Sequence, residues 1–331
     1  MKSYSHDIIE FNIDGGQPLV SVFCPTYNAE KFIENTLKSI LEQDYQNIEI
    51  VVSDDCSVDE TVAIVMRIDK KFPSKIVLNV NTINLGITRN CNVALALCKG
   101  KYLALFAGDD LMYPGKITAQ VKALESDPDS SMSYHAVDVL DGDNSDKVLF
   151  TTEQNTQHYM CFLDIIKRGG IIGACSVMAR RNAIPAYGFS NQFPYVSDWL
   201  MHIELALRGR IIMVKGVYAG YLRHNKGASR KTFETLSEIR GTLDIIKTRY
   251  NNAEEVVFAT KIAYRRYILG ELARLFITGD SGRLSEIIDE SMPDMPGMKI
   301  VAVILLGLVK LKIHKASTTR KLYNYLSRAV K

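Results

Sequence analysis

Residues 103–114 read LALFAGDDLMYP, and the reading of this stretch decides the fold. Leu103, Ala104, Leu105 and Phe106 form a short unbroken apolar run, the signature of a strand buried on both faces, and Tyr113-Pro114 closes the stretch as a turn. Asp109 and Asp110 therefore stand just past a strand's C-terminal end. In open parallel sheets that edge is where diverging loops leave a crevice for ligands. Two adjacent carboxylates repel, so the pair is best served by a cation close by. The plainer alternative is a polar turn with Asp110 as the N-cap of a helix.

Working outward, Pro18 to Pro25 (PLVSVFCP) reads as a first strand and Ala29 to Gln43 as an amphipathic helix with Phe32, Ile33, Leu37, Ile40 and Leu41 on its inner side. A second strand, Ile48 to Val52, ends in another acidic pair, Asp54-Asp55, and leads into a helix reaching about Phe72 with Asp59 as its N-cap. A third strand is expected at Ile76 to Val80. The helix of NLGITRNCNVALALCKG, ended by Gly100, then leads into the fourth at Tyr102 to Phe106. Strand and helix in alternation imply a parallel sheet. No G-x-G-x-x-G follows the first strand and no G-x-x-x-x-G-K-[ST] occurs, which excludes dinucleotide-dependent dehydrogenases and P-loop hydrolases. Carboxylates, not glycines, mark two successive strand ends.

Beyond Gln120 the order becomes mixed. Ser131 to Leu140 and Lys147 to Thr152 read as a hairpin, Arg168 to Arg181 (RGGIIGACSVMARR) as a glycine-flexed strand, and SDWLMHIELALRG as a helix burying Leu200, Ile203 and Leu207. Ile211 to Val214 is a short strand. From about Thr232 the chain is helical, over 232–250, 253–278 and, in pieces, 299–328.

The 331 residues, 47% hydrophobic and 23% charged, suit one large globular domain or two smaller ones. The six cysteines show no C-x-x-C spacing and the N-terminus has no secretory pattern, so a reducing, cytoplasmic setting is expected. The charge is uneven: from Lys299 onward there are eight Lys and Arg and no acid. With those eight removed from the formal charge of +3, the preceding residues carry −5. Such a tail suits a polyanion, whether nucleic acid or an anionic membrane surface.

Taken in order, PLVSVFCPTYNAEKFIENTLKSIL, EIVVSDDCSVDET, NLGITRNCNVAL, KYLALFAGDDLMYPGKI, SDW and YLRHNKGAS resemble the family-2 glycosyltransferases over roughly Pro18 to Ser229. The resemblance implies the GT-A fold, a Rossmann-like, mostly parallel α/β sheet with flanking helices, here followed by a C-terminal helical region. It divides the chain into an N-terminal extension at 1–17, a GT-A domain at 18–230 and a helical region at 231–331.

It also implies the roles of individual residues. Pro25, Tyr27, Asn28 and Asp55 would hold the nucleotide of a nucleoside-diphosphate-sugar donor, Tyr27 flanking the base and Asp55 accepting from a base N–H. Asp54 would orient the loop, and Arg89 would offset phosphate charge beside a helix N-terminus, the alternative being a surface residue paired with a carboxylate. Asp109 and Asp110 would bind Mg2+ or Mn2+ bridging the donor's two phosphates, with Asp109 against ribose or metal. His224 would reach the metal or the diphosphate and Arg223 a phosphate, with Ser229 in the same loop. The family's D-x-D-D pattern is here Ala107-Gly108-Asp109-Asp110, without its first acid, and the usual Glu-Asp before an aromatic is Ser197-Asp198-Trp199. Asp198 would be the general base that takes the acceptor hydroxyl's proton, while also suiting a helix N-terminus.

The implied activity is an inverting sugar transfer to a saccharide or lipid-linked saccharide in surface-polysaccharide synthesis, without a nucleic-acid partner. Within KIVAVILLGLVKLKIH, the uncharged run Ile300 to Val309 is too short to span a bilayer. It reads either as a helix lying on the inner face of the cytoplasmic membrane or as a buried member of a helical bundle. Two other functions use similar parts. A sugar nucleotidyltransferase is disfavoured because CPTYNAE is neither glycine-rich nor basic. A catalytically silent, membrane-docked assembly factor draws on the missing first acid and on Ser197.

Overall fold

A computed structural model describes residues 16–142, 144–154, 156–224, 232–291 and 296–310 of the chain. Its first half runs β1 (Val20–Thr26), α1 (Ile33–Leu41), β2 (Ile48–Asp54), α2 (Thr61–Asp69), β3 (Ile76–Val80), α3 (Ile87–Leu97) and β4 (Tyr102–Leu105). β1 pairs in parallel with both β2 and β4, and β2 with β3, so the order is β3-β2-β1-β4. Every β4 side chain is buried, as an unbroken apolar run requires of a strand covered on both faces. Val20, Val22, Cys24, Ile50, Val52 and Ala104 pack in one core with Ile33, Leu37 and Ile40 of α1. The first helix starts at Ile33 rather than Ala29, and the Ala29 and Glu30 amides ahead of it are taken by the side chains of Thr61 and Asp59.

The chain then continues through β5 (Leu111–Met112), α4 (Lys116–Ser126), β6 (Ser130–Asp141), β7 (Asn144–Thr151), α5 (Phe162–Arg168), β8 (Met178–Arg180), α6 (Ser197–Ala206) and β9 (Arg210–Arg223). β8 runs antiparallel to β4 and β6, β7 to β6, and β5 to β9, which completes the order β4-β8-β6-β9-β5. Two expectations are corrected. The glycine-flexed strand at Arg168–Arg181 shrinks to the three residues of β8: Gly169, Gly170 and Gly173 adopt positive φ, which turns the chain, and residues 174–176 form a 3-10 turn. The short strand at Ile211–Val214 is instead the 14-residue β9.

Helices α7 (Thr232–Arg249), α8 (Glu254–Thr278), α9 (Ser281–Ser291) and α10 (Pro296–Lys310) follow. α9 was not expected from the sequence. The chain forms two compact units that interleave along the sequence. One holds the described residues up to Thr156 together with Ile172–Gly188 and Arg208–Leu222, and contains the sheet. The other holds Gln157–Ile171, Phe189–Leu207 and the described residues from Arg223, so α5 and α6 join the C-terminal helices despite preceding residue 231. Its core includes Ile268, Leu272, Leu275 and Phe276 of α8, Leu284 and Ile287 of α9, and Ala302, Leu305 and Val309 of α10. Among the described residues no helix is long and apolar enough to cross a membrane.

Candidate active site

Because β1, β2 and β4 are parallel, their C-terminal ends share one edge of the sheet, and both acidic pairs stand there. The turn after β4 is tied to β1 and α1. Gly108 donates its amide to the Pro25 carbonyl (3.2 Å), and a Cβ at Gly108 would lie 2.5 Å from Thr26 Oγ1, so only glycine fits. Thr36 Oγ1 donates to the carbonyls of Gly108 (3.2 Å) and Asp110 (2.9 Å). Ser39 Oγ accepts from the Met112 amide (3.0 Å), and Gln43 Nε2 donates to the Tyr113 carbonyl (3.0 Å). Residues 36, 39 and 43 follow helical spacing, so one face of α1 and its C-terminal end grip the acidic turn.

Asp110 is buried and is not a helix cap, a position filled by Gly115 at the start of α4. Its Oδ1 accepts from the Leu222 amide of β9 (3.0 Å), and it also interacts with the Cys175 thiol. Burial, then the charge of half-buried Asp109, pushes the Asp110 carboxyl well above the usual carboxylate range. Burial likewise raises the Cys24 and Cys175 thiols, and both aspartates add to it. Near Cys175 lies Lys116, fully buried, its ammonium donating to Gln120 Oε1 (2.6 Å); burial lowers it to about 7.

Among the described residues no three His, Cys, Asp or Glu side chains gather as a metal cage. Two adjacent carboxylates, one buried and one half-buried, suit instead a hard divalent cation of the kind that takes one or two carboxylates together with phosphate and water oxygens.

The neighbouring loops are laced side chain to backbone. Asp54, buried, accepts from the Ser57 amide (2.8 Å) and hydroxyl (2.5 Å), and Ser57 Oγ accepts from the Asn28 amide (2.8 Å). Asn28 sits at φ 48°, a conformation that asparagine tolerates, and its Oδ1 accepts from the Val58 amide (3.0 Å). This leaves the neighbouring Tyr27 ring 50% exposed at the edge. The N-cap of α2 is Glu60 rather than the expected Asp59, which stands one residue earlier and accepts from the Thr61 amide (3.1 Å). Asp55, also buried, accepts from Asn81 Nδ2 (3.0 Å) and the Leu85 amide (2.8 Å) on Oδ1, and from the Gly86 amide (2.9 Å) on Oδ2. It thereby shapes the entry to α3, where Gly86 takes φ 82° and exposed Arg89 occupies the first turn.

Asp198 belongs to the helical unit. It lies exposed in the first turn of α6, with Oδ1 accepting from the Trp199 amide (2.8 Å). The helix start is fixed from two sides. Glu238 of α7 accepts through Oε2 from the amides of Tyr195 (2.8 Å) and Val196 (3.0 Å), and buried Trp199 donates Nε1–H to the Ile165 carbonyl (3.1 Å). Tyr267 of α8 packs on the Trp199 ring and donates to the Gly169 carbonyl (2.8 Å). One turn beyond Asp198, His202 is buried and, among the described residues, neither of its ring nitrogens has a hydrogen-bond partner; burial lowers its pKa, and the Asp198 charge opposes that shift.

The family described as glycosyl transferase family 2 matches residues 21–185. The chain belongs to that family. A glucosyltransferase of Escherichia coli, WfaP, named for transfer from UDP-Glc to alpha-D-GlcNAc-diphosphoundecaprenol, is 36% identical over 109 residues, 33% of this chain and 42% of its own. Staphylococcus aureus TarS, solved with UDP-GlcNAc, superposes with a TM-score of 0.60 at 19% identity over 95% of this chain and 88% of the solved one. The mannosyltransferase PcManGT of Pyrobaculum calidifontis, solved with GDP-Man and Mn2+, does so with a TM-score of 0.60 at 20% identity, over 95% and 85%. These likenesses establish the GT-A fold that the sequence resemblance implied.

In this glycosyltransferase the sheet unit brings Pro25, Tyr27, Asn28, Asp55, Asp109 and Asp110 to one sheet edge, with Arg89 on the helix that Asp55 helps to set. Asp198 and His224 belong to the helical unit. Arg223, exposed, is the last residue of β9, and half-buried His224 follows it. Ser229 lies outside the described residues. Sequence reasoning missed Thr36, Ser39, Gln43, Lys116, His202 and Glu238. A spacing signal existed for the first three, which repeat along one helix face, and for His202, four residues after Asp198.

Proposed function

We propose that this glycosyltransferase moves a sugar from a nucleoside-diphosphate-sugar donor to a hydroxyl of a saccharide or lipid-linked saccharide, with inversion at the anomeric carbon. The observation that carries the reading is the pair of acidic strand ends, Asp54-Asp55 and Asp109-Asp110, at one edge of a parallel sheet with the Tyr27 loop at the same edge. Tyr27 offers an exposed ring to a nucleobase, and Asn28 and Pro25 hold its loop. Asp55 has about four lone-pair sites and gives three to the protein, which leaves one for a base N–H. Arg89, in the first turn of α3, adds positive charge where helix amides also favour phosphate.

Asp109 and Asp110 would hold Mg2+ or Mn2+, a reading that the Mn2+ in the PcManGT structure supports. A cation held there would supply positive charge to offset that of the departing diphosphate, for which Arg223 and His224 would add donors. Asp198 removes the acceptor proton. It stands exposed in the first turn of α6, where an acceptor hydroxyl can reach it. The acceptor named for WfaP supports a lipid-linked saccharide here.

Calorimetric titration with UDP and GDP, with and without Mn2+, tests the donor half of the reading. Metal-dependent binding of one nucleotide, lost in Asp109→Ala/Asp110→Ala, is expected; if neither nucleotide binds, the reading fails. The catalytic half predicts that Asp198→Asn binds that nucleotide normally while transfer falls by about 100-fold or more. Retained transfer would assign the base elsewhere.

A further inference from the structure

The last described helix has two unlike apolar faces. At about 100° per residue, Ala302, Leu305 and Val309 share one side of α10 and are buried in the helical core. The opposite side carries Ile300, Val303 and Ile304, with Val301 at its margin, and these are 63%, 51%, 57% and 45% exposed. Lys299 and Lys310, both exposed, stand at the two ends of this outer stripe. The sequence reading offered a membrane-surface helix or a buried one, and α10 has one face buried in the helical core and one apolar face exposed. Four contiguous, half-exposed branched aliphatics form a patch that soluble surfaces rarely leave uncovered.

We infer that the outer face of α10 docks on an anionic lipid surface, its aliphatic side chains entering the headgroup boundary and the surrounding lysines meeting lipid phosphates. Charge decides the occupant. From Lys299 to the end of the chain there are eight Lys and Arg and no Asp or Glu. A second copy would set two lysine-flanked faces from this acid-free, basic part of the sequence against each other. Anionic lipid supplies both the opposite charge and the hydrocarbon that an aliphatic stripe requires, whereas nucleic acid supplies only the charge. At 15 residues the helix is too short to span a bilayer, so it lies in the surface plane. The inference rests on α10 alone, and its failure would leave the transfer reading standing.

The experiment is flotation of the full chain with phosphatidylglycerol-containing vesicles and with phosphatidylcholine vesicles, at low salt and at about 0.5 M salt. The expected result is binding to the anionic vesicles only, weakened by salt, and reduced by about tenfold or more in Ile300→Glu/Ile304→Glu. Because both side chains face outward, the variant's melting temperature should match that of the wild type. An Ile304→Trp variant gives a second readout, a blue-shifted emission on anionic vesicles after subtraction of the signal from the single native tryptophan. Equal binding to both lipids, unchanged binding by the glutamate variant, or an unshifted Ile304→Trp spectrum would overturn the inference. So would sedimentation showing a wild-type dimer that the glutamate substitutions dissociate, with no vesicle binding.

Discussion

Lys116→Met should make the protein more stable at neutral pH and less stable at alkaline pH. Lys116 has no exposed surface, its ammonium donates to Gln120 Oε1 at 2.6 Å, and among the described residues it forms no ion pair. Burial lowers its pKa from 10.5 to about 7. At about 1.4 kcal/mol per pH unit, keeping this group in the folded protein costs about 4 kcal/mol at pH 7. Methionine has nearly the same volume and no charge, so the packing survives. The offsetting loss is the Gln120 oxygen, left without its donor, at about 1–3 kcal/mol. The net expected gain is about 1–3 kcal/mol near pH 7.

The sign reverses with pH. Because the folded pKa lies below the unfolded one, wild-type stability rises between about pH 7 and pH 10.5, as the unfolded lysine also loses its proton. Near pH 10.5 the charge cost falls below about 1 kcal/mol and the loss at Gln120 dominates. Urea midpoints of the two proteins at both pH values read the effect directly. A variant less stable at pH 7, or a shift of the same size at both pH values, would refute the reasoning.

Thr36→Val keeps shape but removes the hydroxyl that donates to the carbonyls of Gly108 and Asp110, so thermal unfolding should show a loss of about 1–3 kcal/mol; an unchanged melting temperature would mean the acidic turn does not need that anchor. Gly108→Ala drives a methyl to 2.5 Å from Thr26 Oγ1, and nucleotide affinity measured by calorimetry should fall by about tenfold or more as the turn moves away from β1. Glu238→Ala strands the amides of Tyr195 and Val196 ahead of Asp198. Steady-state kinetics should show kcat reduced with nucleotide affinity intact, and an unaltered kcat would show that this support is dispensable.

What the sequence disclosed and what it concealed follow from the range of the interactions involved. The parallel strands were legible because each is an apolar run whose burial depends on its own residues, and the acidic pairs because like charges at strand ends stand out against such runs. Thr36 was not legible as an anchor. On a helix face a threonine reads as ordinary polar surface, and its partners Gly108 and Asp110 lie more than 70 residues away. Glu238 was hidden for the same reason, since the amides it accepts from precede a different helix in the chain.

The stretch from Arg168 to Arg181 misled because its apolar residues suit a strand, while positive φ at Gly169, Gly170 and Gly173 turns the backbone out of one. α10 shows the limit of composition most directly. Its residues are apolar nearly all round, so no periodicity distinguishes inside from outside; the split appears only when α8 and α9 occupy one side. The face they leave uncovered bears Ile300, Val303 and Ile304. A helix that already completes a core on one side gains nothing for that core from aliphatics on the other, so the outer stripe requires a separate cause, and the acid-free, basic sequence around it indicates the chemistry of that cause.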